Sequence, residues 1–200
     1  VTLPADVNGP FAGLVFKVMT DPFVGRLAFI RVYSGHIGSG SYVLNSTKGK
    51  RERIGRLLQM HANERKEITE VYTGEICGVV GFKDTTTGDT LCDASRVVKL
   101  PAAAFPLPSL FMAVTVAKKG DEGKISSALA RLMEEDPTLS YINNAETHQQ
   151  IIGGLGEQHL DVVKAKLKNK FGVEIGLEAP RIAYRESIRK ACQKQGRHKK

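Results

Sequence analysis

Residues 153–161 read GGLGEQHLD, which places Glu157, His159 and Asp161 directly after three glycines. Two carboxylates beside a histidine could support acid–base catalysis or bind a metal, and a glycine turn before a helix could hold a phosphate. A phosphate site would favour basic or hydroxyl side chains over two acids, and no nucleophile or metal-ligand set lies within motif reach of His159. We therefore interpret the stretch as a strand-to-helix turn, expect His159 to serve in packing or at an interface, and assign no catalytic residue.

A basic cluster around Gly49 suits a different chemistry. Its members are Lys48, Lys50, Arg51, Arg53 and Arg56, and Glu52 is the one acid among them. Cationic side chains on a hairpin tip can reach phosphates that a flatter basic face cannot. Strand alternation puts Arg51 and Arg53 on one side and sends Ile54 toward the core, so we predict RNA contacts here. The alternative is a solvated turn that serves solubility.

The net charge of +8 is concentrated at one end of the 200-residue chain. Residues 181–200 contain eight Lys or Arg and one acid, so this basic tail accounts for most of the excess. Such a segment is typical of polyanion binding or of a solubilising extension. No apolar run approaches the roughly 20 residues of a membrane helix, and the first residues lack a secretion signal. We expect a soluble, cytoplasmic protein without a membrane partner.

The three cysteines predict neither a disulfide framework nor a metal centre. Cys77, Cys92 and Cys192 lie far apart, without a CxxC pair and without histidines at ligand spacing,. The pattern GxxxxGK[ST], whose backbone and lysine hold nucleotide phosphates, does not occur in the sequence,. We therefore predict no metal and no cofactor within this chain.

The first hundred residues read as short strands. Runs such as RLAFIRVYSG and EVYTGEICGVVG alternate with turn residues, including Asp21-Pro22 and the glycines of SGHIGSGS,. The pattern predicts about six to eight strands and no convincing long helix. A closed antiparallel β-barrel explains so many short strands, because closure removes exposed edges.

The periodicity changes after PAAAFPLP, residues 101–108, which we interpret as a linker,. SLFMAVTVA predicts a strand, Asp121 offers an N-cap, and apolar residues from Ile125 onward mark a helix that stops at Pro137,. The strands LSYIN and HQQIIGG precede a second amphipathic helix, which ends at Gly172, and a last strand, VEIGLE,. The order β-α-β-β-α-β predicts a ferredoxin-like domain. Its third strand has no aromatic residue, unlike that of an RRM, so we expect no base stacking on this sheet.

Several long motifs, taken together, resemble translation elongation factor G. They are VGRLAFIRVYSGHIGSGSYVLNSTKGKRERIGRLLQMHANERKEI, KDTTTGDTL, EEDPTL, IIGGLGEQHLDV and APRIAYRESI, and they occur in the family's order over essentially the whole chain. The resemblance implies a multi-domain β plus α+β fold: a translation-factor domain II β-barrel at 1–100, a linker at 101–108, a ferredoxin-like βαββαβ domain III at 109–179, and a truncated start of domain IV at 180–200. The family's G domain, which binds GTP and Mg, is expected to be absent, so the chain should not be a GTPase by itself.

The resemblance also implies partners and sites. Domain II of these factors contacts small-subunit ribosomal RNA and ribosomal proteins, which suits Lys48, Lys50, Arg51, Arg53 and Arg56 as phosphate contacts. Domain III lies beside the G domain and forms one wall of the pocket for the inhibitor fusidic acid, for which Pro106, Pro108, Thr138 and His159 are the implied residues. The family promotes translocation of tRNA and mRNA on the ribosome. This chain would dock on the ribosome and relay the state of the G domain.

Three alternatives stay open at this stage. The chain could come from an elongation factor G-like paralogue or from a tetracycline-protection relative, since QGRHKK and AKKGDEGKISSALARLMEED depart from the commonest form of the family. It could also be a free-standing RNA-binding module that uses the KGKRER loop and the basic tail.

Overall fold

The computed structural model describes residues 2–21, 25–62, 64–116 and 120–198. Pro22 of the predicted Asp21-Pro22 turn, and Lys199 and Lys200 of the basic tail, lie outside these ranges. The strands of the first half are β1 (Ala12–Asp21), β2 (Gly25–Ser34), β3 (His36–Gly38), β4 (Tyr42–Asn45), β5 (Lys50–Arg53), β6 (Arg56–His61), β7 (Glu64–Ile68), β8 (Glu70–Tyr72), β9 (Ile76–Val80) and β10 (Thr90–Cys92). The second half contains β11 (Leu110–Val116), α1 (Glu122–Glu135), β12 (Ser140–Asn144), β13 (Gln149–Gly154), α2 (Glu157–Phe171) and β14 (Ile175–Glu178). Among the described residues, neither helix is long and apolar enough to cross a membrane.

Strands β1 to β10 form a barrel-like domain. Eight of them make one antiparallel sheet in the order β5-β4-β10-β1-β2-β9-β6-β7, and β3 pairs with β8 in a separate ribbon. One apolar cluster takes side chains from distant parts of this order, such as Val43 of β4 and Leu57 of β6, so the sheet curls around a shared core,. The predicted fold class is confirmed, although the domain has ten described strands where we expected about six to eight,. Strands of three residues, such as β3 and β8, are too short to show an alternating pattern in the sequence.

Strand β2 shows how side-chain alternation builds the barrel core. Ala28, Ile30 and Val32 are buried in that core, as their shared face predicts. On the opposite face Leu27 is also fully buried, whereas Arg31 is exposed. The strand is therefore buried on both faces only in its first part,.

The second half folds as β-α-β-β-α-β, and the ferredoxin-like prediction is confirmed. Its antiparallel sheet has the order β12-β13-β11-β14, and both helices pack on one face of it. The core joins Ile125 and Leu129 of α1 to Leu160 and Leu167 of α2 and to Ile152 of β13. The two helices therefore share one apolar core with the sheet.

The helix ends use different local signals. Helix α2 ends at Gly172, whose φ of 67° lets its N–H reach the carbonyl of Lys168 at 3.1 Å,. Helix α1 begins after Asp121, as expected, but the Asp121 side chain makes no capping hydrogen bond. Its carboxylate instead pairs with Lys124 at 2.9 Å. The predicted cap is therefore right in position and wrong in mechanism, because an i,i+3 ion pair occupies the carboxylate.

The segments around the second domain have little regular structure. Residues 101–108 are almost all exposed and contain neither helix nor strand. The basic tail is exposed from residue 181 to 198, and it touches the domain at two points. The backbone N–H of Arg181 donates to Gln149 Oε1 at 2.8 Å, and Arg185 forms an ion pair with Glu146.

The two domains contact each other where the β1–β2 end of the barrel meets the C-terminal end of α1. The backbone N–H of Thr20 donates to Glu135 Oε1 at 2.7 Å, and Nε of Arg26 lies 3.4 Å from Glu134 Oε2. Lys170 of α2 also pairs with Glu135. Acids at the C-terminal end of a helix face its negative dipole, which is unfavourable. All three donors offset that cost, and those of Thr20 and Arg26 also join the domains.

Candidate nucleic-acid interface

The β4–β5 hairpin places the basic cluster at the edge of the barrel sheet. Strand β5 is last in the sheet order and pairs only with β4 among the described strands. Its register sets Arg53 opposite Tyr42 and Lys50 opposite Asn45. Gly49, in the connecting turn, has a φ of 67°, which glycine adopts without strain,. The structure therefore contains the hairpin that KGKRER predicts.

Glu52 attaches this hairpin to the rest of the barrel. Its side chain points inward and the residue is only 6% exposed. It accepts hydrogen bonds from the backbone N–H groups of Lys83 (3.2 Å) and Asp84 (3.0 Å) and from the hydroxyl of Thr85 (3.0 Å). The KDTTTGD loop, residues 83–89, is thereby tied to β5. From the sequence alone Glu52 is only an offsetting charge, whereas in the structure it is an anchor.

A buried polar network continues beneath the hairpin. Asn45 is fully buried, and its Nδ2 donates to Asp89 Oδ2 at 2.9 Å and to Thr85 Oγ1 at 3.3 Å. Asp89 is 3% exposed and also accepts the backbone N–H of Thr86 at 2.8 Å. Moving the loop would leave buried polar groups unpaired, so the network holds the loop in one position. Asn45 lies 40 and 44 positions from its two partners, and no local signal in the sequence identifies the network.

The structure divides the five basic residues into two groups, of which the first is the two lysines. Lys48 Nζ lies 3.1 Å from Asp89 Oδ2, and Lys50 Nζ lies 2.7 Å from Asp84 Oδ2. The hydrogen bond and the charge of Asp84 raise the pKa of Lys50, and the same pair lowers the pKa of Asp84. Both lysines therefore already have an anionic partner within the domain.

The second group consists of the arginines, which have no carboxylate partner in the part of the chain that the structure describes. Arg51, Arg53 and Arg56 are all exposed. The Arg51 guanidinium carbon lies 4.6 Å from the centroid of the Tyr42 ring, which is a cation–π distance,. Two guanidinium groups thus share the outer side of β5 and a third follows on β6, while Ile54 is buried, as predicted.

A second group of candidate residues lies where α1 ends and α2 begins. Nε2 of His159 lies 2.9 Å from Asp136 Oδ2, and Nδ1 of His159 accepts the backbone N–H of Leu155 at 3.0 Å. Because Nδ1 is an acceptor, the neutral ring carries its proton on Nε2 and donates it to Asp136. His159 therefore links α2 to the end of α1 through Nε2, while Nδ1 holds the ring to the turn before α2.

Asp136 also joins His159 to Thr138. It accepts hydrogen bonds from the Thr138 N–H at 2.9 Å and from the Thr138 hydroxyl at 2.5 Å. Burial acts to raise the pKa of Asp136, but the hydrogen bonds from Thr138 and His159 outweigh it and lower the pKa. Two of the residues implied by the family resemblance thus share one carboxylate.

The two prolines of that set differ in exposure and in the contacts of their neighbours. Ser109, next to Pro108, donates its N–H to the Gly154 carbonyl and its hydroxyl to the Leu155 carbonyl, each at 3.0 Å. Pro108 is therefore held beside the turn that precedes α2. Pro106 is exposed on the linker.

The carboxylates of GGLGEQHLD do not form a site with His159. Glu157 lies in the first turn of α2, and Asp161 is exposed with Lys164 at 3.9 Å. Among the described residues, no group of three or more His, Cys, Asp or Glu could hold a metal. The histidine instead links α1 to α2.

Comparison with known proteins gives matches to both halves of the chain. A family model described as elongation factor G domain 2 matches residues 10–94, and one described as elongation factor G, domain III matches residues 105–179. A protein of known crystal structure from Thermus thermophilus is similar over 88% of this chain, with a TM-score of 0.76 and 29% sequence identity. This chain spans 26% of the length of that protein.

Proposed function

Because this chain belongs to the elongation factor G family and contains its domains II and III, we propose that it is the ribosome-docking part of a translational GTPase that promotes translocation of tRNA and mRNA. In this family a G domain binds GTP and Mg²⁺, and the hydrolysis of GTP would take place in that domain. The sequence contains no GxxxxGK[ST] pattern, so no residue of this chain is assigned to the nucleotide or the metal,. The chain itself binds small-subunit RNA and relays the state of the G domain.

The exposure of the arginines on the basic hairpin is the observation that supports this proposal. Arg51, Arg53 and Arg56 are exposed without a described acidic partner, and Glu52 holds the strand that presents the first two. Arginine binds phosphate oxygens in a fixed fork geometry, which favours it for RNA backbones. Lys48 and Lys50 contribute less, because their ion pairs within the domain compete with phosphate.

The second domain is proposed to move as one body in the relay. Glu135 and Asp136, at the end of α1, are bonded to Lys170 and His159, near opposite ends of α2. This cross-bracing favours a rigid rotation over a sliding of the helices. Pro106, Pro108, Thr138 and His159 are proposed to face the G domain and the inhibitor pocket.

Charge neutralisation on the hairpin tests the docking proposal. The triple variant Arg51→Gln, Arg53→Gln, Arg56→Gln should bind purified small ribosomal subunits more weakly. The slope of log affinity against log salt should fall in magnitude by about 2–3, since about 0.7–0.9 units are lost per phosphate contact. The matched control is Lys17→Gln, Lys66→Gln, Lys99→Gln, which removes three exposed charges elsewhere in the barrel.

Two outcomes would contradict docking through the hairpin. One is equal binding by the arginine triple and the lysine triple. The other is a parallel loss of binding to subunits and to an unrelated RNA as salt rises, because that behaviour indicates a general RNA-binding module without ribosomal specificity.

A further inference from the structure

An exposed tyrosine of β4 lies beside two arginines of β5 on the basic hairpin. Tyr42 is 58% exposed although it belongs to a strand that pairs on both sides. The Arg51 guanidinium lies 4.6 Å from its ring centroid, and Arg53 is its direct partner across the ladder. The Arg53 side chain extends toward the turn at Gly40: its terminal nitrogen lies 3.9 Å from the position that a Cβ atom on Gly40 would occupy. An aromatic ring and two arginine side chains thus lie on the same outer face of the hairpin.

This surface suits a nucleobase in addition to phosphate. Bases of unpaired RNA nucleotides stack on tyrosine rings and on the planes of arginine side chains. The bases of an A-form duplex are enclosed, so only a nucleotide outside a helix can reach such a platform. A lone phosphate contact would need the arginines but would make no use of the exposed ring.

We propose that Tyr42 and Arg51 form a stacking platform for one unpaired base of the bound RNA, and that Arg53 binds the phosphate of the same nucleotide. This inference rests on the proposed RNA docking of the hairpin. The hairpin would bind an unpaired nucleotide of that RNA. It also gives the barrel the base-stacking function that the aromatic-free third strand of the ferredoxin-like sheet lacks.

The direct test is fluorescence of a short single-stranded RNA that contains 2-aminopurine, because stacking on an aromatic ring quenches this base. The wild-type chain should quench it, and Tyr42→Phe should behave like wild type. Tyr42→Leu should remove the quenching and lower the affinity by about 5- to 150-fold, which corresponds to the loss of one stacked base. Tyr33→Leu is the matched control, since Tyr33 is 43% exposed and Arg31 lies 5.9 Å from its ring centroid, away from the basic hairpin.

A second probe separates stacking from charge. On an RNA of the same length with an abasic site in place of 2-aminopurine, Tyr42→Leu should bind like wild type. Arg53→Gln should weaken binding to both RNAs and reduce the salt slope by about one. Tyr42→Leu should bind small ribosomal subunits more weakly than Tyr33→Leu does.

The outcomes distinguish this inference from the docking proposal. If the arginine triple loses subunit binding while Tyr42→Leu binds subunits and the 2-aminopurine RNA like wild type, the platform is refuted and docking stands. If Tyr42→Leu weakens the abasic RNA as much as the intact RNA, the ring does not stack on a base. If the arginine triple leaves subunit binding unchanged, docking itself fails. Unchanged protection of the buried thiols Cys77 and Cys92 confirms that each variant is folded.

Discussion

Replacing Glu52 by alanine tests whether the hairpin is held from inside the barrel. The change removes the carboxylate that accepts two backbone N–H groups, of Lys83 and Asp84, and the hydroxyl of Thr85. A hydrogen bond to a charged group contributes about 1.5–3 kcal/mol to stability. Lys83 and Asp84 are exposed residues whose N–H groups can regain water. We therefore expect the free energy of unfolding of the barrel to fall by about 3 kcal/mol, which is less than the sum of the three bonds.

The two buried thiols of the barrel report its opening. Burial raises the pKa of Cys77 to about 12, and Cys92 is fully buried, so both thiols react only in opened molecules,. In a Cys192→Ser background, their alkylation by iodoacetamide follows the population of the open barrel. A loss of about 3 kcal/mol should accelerate alkylation by about 100-fold, because about 1.4 kcal/mol corresponds to a factor of ten.

Glu67, an exposed glutamate of β7, provides the control. Glu67→Ala removes the same charge from the barrel surface and should leave the alkylation rate near that of the background protein. Glu52→Gln keeps one acceptor oxygen and should give an intermediate rate. Equal rates for Glu52→Ala and Glu67→Ala would refute the reasoning, since Glu52 would then not hold the loop to the hairpin.

Three further predictions concern the thiols, the helix link and the domain contact. Iodoacetamide should modify one thiol per native chain, the exposed Cys192, and a second fast thiol would contradict the barrel core. The lowered pKa of Asp136 means that its hydrogen bonds stabilise the fold above the unfolded pKa of about 3.9 and lose that effect as the pH falls through the lower folded value,. Asp136→Asn should therefore lower the midpoint of urea unfolding, followed by helical circular dichroism, at neutral pH. The difference in midpoint between wild type and variant should shrink below about pH 4. A difference that stays constant with pH would show that the carboxylate charge is not involved. Glu135→Ala removes the acceptor of the Thr20 N–H and the partner of Lys170. Small-angle scattering should then show a wider range of domain arrangements. An unchanged scattering profile would show that this contact does not fix the arrangement of the domains.

Local sequence signals predict those parts of the fold whose cause is local. Leu160, Val163 and Leu167 recur at helical spacing and are the buried residues of α2, and Gly172 ends that helix with a positive φ. The alternation of β5 likewise predicts which of its side chains face solvent. In each case the pattern follows from backbone geometry over a few neighbouring residues.

The parts that the sequence does not reveal depend on distant partners. Glu52 accepts hydrogen bonds from residues 31 to 33 positions away, and the partners of Asn45 are more distant still. The pairing of Lys48 and Lys50 with the KDTTTGD loop depends on the same tertiary arrangement. All five cations therefore look alike in the sequence, although the two lysines pair with acids of the domain and the three arginines have no acidic partner among the residues that the structure describes. The hydrogen bonds of Thr138 and His159 to the Asp136 carboxylate are likewise not apparent in the sequence, because they form only when α1 and α2 pack together.

The side chain of Arg26 contacts both domains. Its Nε faces Glu134 of α1, while its terminal nitrogens donate to the backbone carbonyls of Lys83 (2.7 Å) and Thr85 in the loop that Glu52 holds. A guanidinium group is planar and rigid, so a tilt of α1 away from the barrel cannot preserve both sets of contacts. The edge that carries the basic hairpin is consequently sensitive to the angle between the domains through a single side chain, and this sensitivity requires no repacking of either apolar core.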